Sequence, residues 1–304
     1  LAILLAAAAA ACAPLAAAPP SAAHVREDPR LQHALEDART RFLADASFDR
    51  LDVAVLLGAE DGGWLAAGVG AGSPWYPASC VKLAFGVAAT QWCAAQGRPV
   101  SCLDEAVLPM LRDSDNVATG VVVDAITGTV NGPADDGAYP AWFARRRYTE
   151  ELLERHGLLG SQRLVNKTYP SNSGEMPEGL ERLALERHGR NSMNAGDSAR
   201  LMLALVSGEF GPQARDYLRE RLRRPRVSVN SSMGGGFPEG TVYESKIGGA
   251  YDTLAEIVHA ELPDGGRMII AAYSNGRDPD GPEDQDLSAL AGFARLLLER
   301  LPAR

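Results

Sequence analysis

Residues 76–89 read Tyr-Pro-Ala-Ser-Cys-Val-Lys-Leu-Ala-Phe-Gly-Val-Ala-Ala, and the organisation of the chain can be worked outward from this stretch. Pro77 ahead of a strongly apolar run places Ser79 at the N-terminus of a helix predicted over 79–96. Lys82 lies one turn further on the same face, with Cβ atoms about 5–6 Å apart, within reach of the serine hydroxyl. A lysine set among apolar residues has its charged form disfavoured, which suits it to take a proton. The helix terminus meanwhile aims free N–H groups at any oxyanion that develops there. Alone the pair is weak, because 18 serines and 3 lysines in 304 residues give about 0.2 such spacings by chance, and a helix cap followed by a snorkelling lysine has the same pattern. The rarity of lysine adds weight: of 30 basic residues only Lys82, Lys167 and Lys246 are not arginine. Arginine stays charged, whereas lysine can lose its proton.

On the N-terminal side, residues 29–45 carry apolar residues at helical spacing, followed by strands over 51–57 and 64–69 joined by a turn at 60–63. On the other side helices are predicted over 104–110, 116–127, 139–156 and 195–207, the last capped by Asn194 and stopped by Gly208. Strand patterns return at 242–247, 254–262 and 267–274, the last two linked by a turn at 263–266, and a helix over 286–301 closes the chain. The order implies an α/β protein of the α+β type. An antiparallel sheet of about five strands is built from both chain ends and flanked by terminal helices, with an all-helical lobe inserted. The expected division is a leader and linker over 1–23, an α/β lobe from 24–76 plus 227–304, and a helical lobe over 77–226. A cleft between sheet edge and helical lobe is the natural place for a site.

Composition narrows the function. With 46% hydrophobic and 23% charged residues the chain is globular, and a net charge of -9 argues against nucleic-acid or anionic-membrane binding. The basic clusters Arg145-Arg146-Arg147 and Arg219 to Arg226 read as solvated helix faces. Residues 1–18 form an alanine-rich apolar run that is short for a membrane span, followed by Pro19-Pro20, and read as a secretory leader. The alternative is a lipoprotein cleavage site with an anchor at Cys12. Secretion or a periplasmic location follows either way. Cys93 and Cys102 can pair across a helix end, or all three remaining cysteines can be buried thiols. The five histidines are scattered, so neither a metal nor a catalytic histidine is expected, and no cofactor is implied. A monomer is expected.

Two further motifs accompany Ser79. Ser114-Asp115-Asn116 precedes an apolar helix and suits a helix cap, yet its hydroxyl and amide can also relay a proton and hold a substrate amide. Lys246-Ile247-Gly248-Gly249 ends an alternating segment. It suits a strand end and turn, yet it also sets charge beside a backbone open to close approach.

In this order the three motifs resemble those of the serine β-lactamase and penicillin-binding-protein superfamily, S-x-x-K, S-D-N and K-T-G, and the element order is similar to that of class A β-lactamases. The resemblance implies Ser79 as the acylated nucleophile and Lys82 as its activator. It implies Ser114 as proton shuttle aided by Lys246, Asn116 as ligand of the substrate amide, and an oxyanion hole from the Ser79 and Gly249 N–H groups beside Gly248. A small-molecule or peptidoglycan-derived substrate would follow.

Three departures matter. Ile247 stands where the motif has threonine, no arginine occurs over 254–262, and the spacing from Ser79 to Ser114 is short for class A relatives. The usual glutamate-to-asparagine loop pattern is absent between Asn166 and Asn191, leaving Glu178, and behind it Glu175, as candidate activators of a deacylating water. Lys167 lies in the same region without an assigned role. The expected activity is a class A β-lactamase-like serine hydrolase. A DD-peptidase-like or esterase-like former of a long-lived acyl-enzyme is the alternative, and a non-catalytic receptor for cell-wall fragments or antibiotics is the alternative of another class.

Overall fold

Period-two alternation sets the layers of the molecule. A computed structural model describes residues 24–45, 48–160, 177–224, 232–275 and 283–301. Its strands β1 (Val25–Glu27), β2 (Arg50–Gly58), β3 (Trp64–Val69), β4 (Val242–Ala250), β5 (Thr253–Glu261) and β6 (Arg267–Asn275) form one sheet in the order β1-β3-β2-β6-β5-β4. The five expected strands pair antiparallel. The short exposed β1 adds a sixth, parallel to β3, and its three residues are too few to show a period in sequence.

Side chains on β2 and β6 separate into two cores. Leu51, Val53, Val55, Leu57, Met268, Ile270 and Ala272 pack with the terminal helices α1 (Pro29–Asp45) and α10 (Glu283–Leu298) through Leu31, Leu35, Phe293 and Leu297. Ala54, Leu56, Ile269, Ala271 and Tyr273 face the helices inserted between β3 and β4. Those are α2 (Lys82–Ala95), α3 (Asp104–Arg112), α4 (Asn116–Thr127), α5 (Tyr139–Arg146), α6 (Tyr148–Arg155), α7 (Gly179–His188), α8 (Ala195–Val206) and α9 (Pro212–Leu222). Residues 82–90 of α2 are buried all round, as expected of a central helix apolar on every side.

Several boundaries differ from the sequence expectation. The helix predicted from Ser79 starts as a 3₁₀ turn, Ala78–Val81, and becomes α-helical at Lys82. The span 139–156 divides at Arg147 into α5 and α6. α7 was not expected, because its charged residues leave only a short apolar face at Leu180 and Ala184. Cys93 and Cys102 form a disulfide across the end of α2, and Cys80 is a buried free thiol. Among the described residues no helix is long and apolar enough to cross a membrane. The leader over 1–23 with Cys12, together with Lys167 and Glu175, lies outside the described residues.

Neither arginine cluster is simply a solvated face. Arg146 is fully buried and bonds Asp124 at 2.6 Å, with Glu181 at 3.2 Å, tying α5 to α4 and α7. Arg219 reaches the buried Glu244 at 2.9 Å and Glu261 at 2.5 Å, which fastens α9 to the sheet edge. Replacing Arg146 by alanine would leave two carboxylates without their cation. Arg146→Ala should therefore lower stability by about 3–5 kcal/mol in urea titration.

Candidate active site

Three short segments meet where the β4 end of the sheet faces the helices. Ser79 lies in the 3₁₀ turn, directly after Ala78, whose φ of 45° is left-handed backbone in a residue with a Cβ. Ser114 has the same unusual feature, with φ 59°. The helix-cap reading of its motif is met by Asp115 alone, whose carboxylate accepts from the Ala118 N–H at 2.7 Å. Ser114 and Asn116 on either side are thereby left for other work.

Both lysines turn to Ser114. Lys82 Nζ donates to the Ser114 carbonyl, to Asn116 Oδ1 at 2.8 Å and to Ser114 Oγ at 3.3 Å. Lys246 Nζ donates to the same Oγ at 3.0 Å and to the Ile247 carbonyl at 2.7 Å. Among the described residues no hydrogen bond joins Lys82 to Ser79, so the expected direct pair is not closed in this state. Burial pulls Lys82 down to about 8, with Asp115 opposing. Burial, and then the neighbouring Arg224 and Lys82, push Lys246 well below the ordinary lysine range.

Glycine is required where the strand meets the turn. A Cβ on Gly248 would sit 2.6 Å from the Pro77 carbonyl and 2.9 Å from the Ser79 nitrogen. The same strand seals the turn from below, where Cys80 Sγ lies 3.3 Å from the Lys246 carbonyl. Burial pushes that thiol up to about 12, so it stays protonated at neutral pH.

A cavity of about 350 Å³ is lined by Ser79, Ser114, Asn116, Lys246 and Gly249. Glu178 does not line it, and stands exposed at the start of α7. Two residues that the sequence reading missed do line it, Arg112 and Arg224. Arg224 donates to the carbonyls of Leu111, Arg112 and Ser245, bridging α3 to β4, and among the described residues it has no carboxylate partner. The signal was Pro225, since a residue before proline favours extended backbone and so turns Arg224 off its helix.

A family profile described as "Beta-lactamase enzyme family" matches residues 89–301. The chain belongs to that beta-lactamase family. The matched span takes in Ser114, Asn116 and Lys246 to Gly249, and Ser79 and Lys82 precede it. Among solved structures, the fold is similar to a class A β-lactamase described as the last common ancestor of Gram-negative bacteria, with TM-score 0.62 and 18% identity over 88% of this chain and 98% of that one. It is also similar to PBP-A, with TM-score 0.61 and 18% identity over 91% and 98%. Golvesin of Dictyostelium discoideum is 32% identical over 91% of this chain and 49% of its own, so this beta-lactamase-family chain spans about half the length of that curated relative.

The contact at Gly248 gives a direct test. Gly248→Ala should force the strand away from the Ser79 turn and cost about 1–3 kcal/mol, measured by thermal unfolding.

Proposed function

We propose that this chain is a serine acyl-transfer enzyme in which the carbonyl of a β-lactam or related amide acylates Ser79. The observation that carries the reading is the meeting of two buried lysines at one serine hydroxyl, beside a second serine on the 3₁₀ turn that leads into α2.

Binding of the substrate amide to Asn116 draws its Oδ1 away from Lys82 and frees the amine to turn to Ser79. The amine takes the hydroxyl proton as Oγ attacks the carbonyl carbon. The oxyanion is held between the Ser79 and Gly249 N–H groups. As the C–N bond breaks, Ser114 gives its proton to the leaving nitrogen and is recharged with the proton that Lys82 took from Ser79, while Lys246 holds the shared Oγ in place. Arg224 supplies positive charge for a substrate carboxylate, the task that Ile247 cannot perform, whereas Arg112 is already paired with Asp113. Water then releases the acyl group.

The second reading concerns that last step. Glu178 stands exposed outside the cavity, which favours a long-lived acyl-enzyme of the DD-peptidase kind over rapid turnover.

Intact-mass measurement over time after exposure to a penicillin should show an adduct of one penicillin, absent in Ser79→Ala. No adduct in the unaltered protein would refute the proposal, and an adduct that persists selects the second reading. Acylation should rise as pH increases through about 8, where Lys82 becomes neutral, and fall about tenfold per unit on the acid side. Lys82→Met should abolish the adduct while stabilising the fold. Because the folded value lies below the unfolded one, the burial cost is full below pH 8 and fades towards 10.5. The gain should be about 1–3 kcal/mol at pH 7 and vanish at high pH.

A further inference from the structure

Among the described residues three that are not glycine have positive φ: Ala78, Ser114 and Tyr251. The first directly precedes Ser79, and the second is the hydroxyl shared by the lysines. Tyr251, φ 57°, has no part in that chemistry, yet it holds a bulky side chain in a conformation tyrosine rarely adopts and leaves it 54% exposed. A glycine there would avoid the strain and lose only the ring.

That ring stands in a group of three. Tyr76 and Tyr251 approach with centroids 5.8 Å apart, and the Arg190 guanidinium lies 4.5 Å from the Tyr251 ring centre and 5.4 Å from that of Tyr76. Three separate segments are needed to build it. Tyr76 follows Trp75, which pairs with Met193 through two backbone hydrogen bonds of 2.7 and 2.9 Å and so brings Arg190 alongside. Tyr251 comes from the turn after β4, two residues past Gly249. The group thus adjoins both oxyanion N–H donors in sequence and contains none of the residues assigned to the leaving nitrogen.

We infer that Tyr76, Arg190 and Tyr251 form a subsite for an aromatic ring on the acyl side of the substrate. The inference rests on the acyl-enzyme reading for the word substrate, though not for ring binding itself. Two tyrosine faces and a guanidinium offer stacking and edge contacts to a flat π-system at small entropic cost, since each ring has few torsions to fix. An aliphatic acyl group gains little from such a surface.

The test compares adduct formation from two penicillins on one nucleus, bearing a phenylacetyl or an acetyl group, in the unaltered protein and in Tyr251→Gly. Glycine tolerates the positive φ, so the variant is expected to fold. The phenylacetyl compound should react about fivefold faster in the unaltered protein, and the ratio should fall towards one in the variant. A ratio unchanged by the substitution overturns the inference, and so does a ratio absent from the start. Equal loss with both compounds also overturns it, because that marks a structural role. If neither compound forms an adduct, the acyl-enzyme reading fails and the subsite is judged by ligand-observed NMR with N-phenylacetylglycine against N-acetylglycine. Binding of the aryl compound that is lost in Tyr251→Gly supports it. Binding that is unaltered, or absent in both proteins, overturns it.

Discussion

Two buried lysine side chains converge on one hydroxyl, and the rest of the molecule is arranged to make that tolerable. Like charges close together in a poorly solvated place repel and raise each other's tendency to lose protons. Lys82 is compensated by the Ser114 carbonyl and Asn116, Lys246 by the Ile247 carbonyl, and both by the shared Oγ. Among the described residues no buried carboxylate bonds either lysine, and Asp115 and Glu256 act only from a distance. A carboxylate in contact would restore full charge to both lysines and remove the base that the proposed function requires.

Much of this was readable from residue order. The apolar runs at 51–57, 254–262 and 267–274 become strands buried on both faces, where a one-residue slip would exchange the side chains of the two cores. The motifs at Ser79, Ser114 and Lys246 were legible because each joins polar chemistry to a helix start or strand end. Local pattern gave no access to features that depend on distant partners. The 3₁₀ turn at Ser79 lies against β4, where Gly248 leaves no room for a Cβ. Arg146 looked like one charge among three on a helix face, and only the tertiary fold supplies Asp124 and Glu181 to bury it.

Arg224 shows the same limit at the site. A run of arginines after a helix suggests solvent, yet this one crosses from α9 to hold the carbonyls of α3 and β4 together. Under the proposed function it would stand in for two missing elements at once, a hydroxyl at position 247 and a basic residue over 254–262. The positive charge that Arg224 brings to the cavity thus comes from the segment after α9 and not from the strand beside Lys246.

The fit of Gly248 against the Ser79 turn has a consequence in time as well as in space. Its two halves lie far apart in the sequence, so this contact is absent until β4 has joined the sheet. Contacts between such distant segments are among the slower ones to form. Under the proposed function, partly folded chains carry both serines and all the lysines without the geometry to use them, and reactivity at Ser79 would mark that folding is complete.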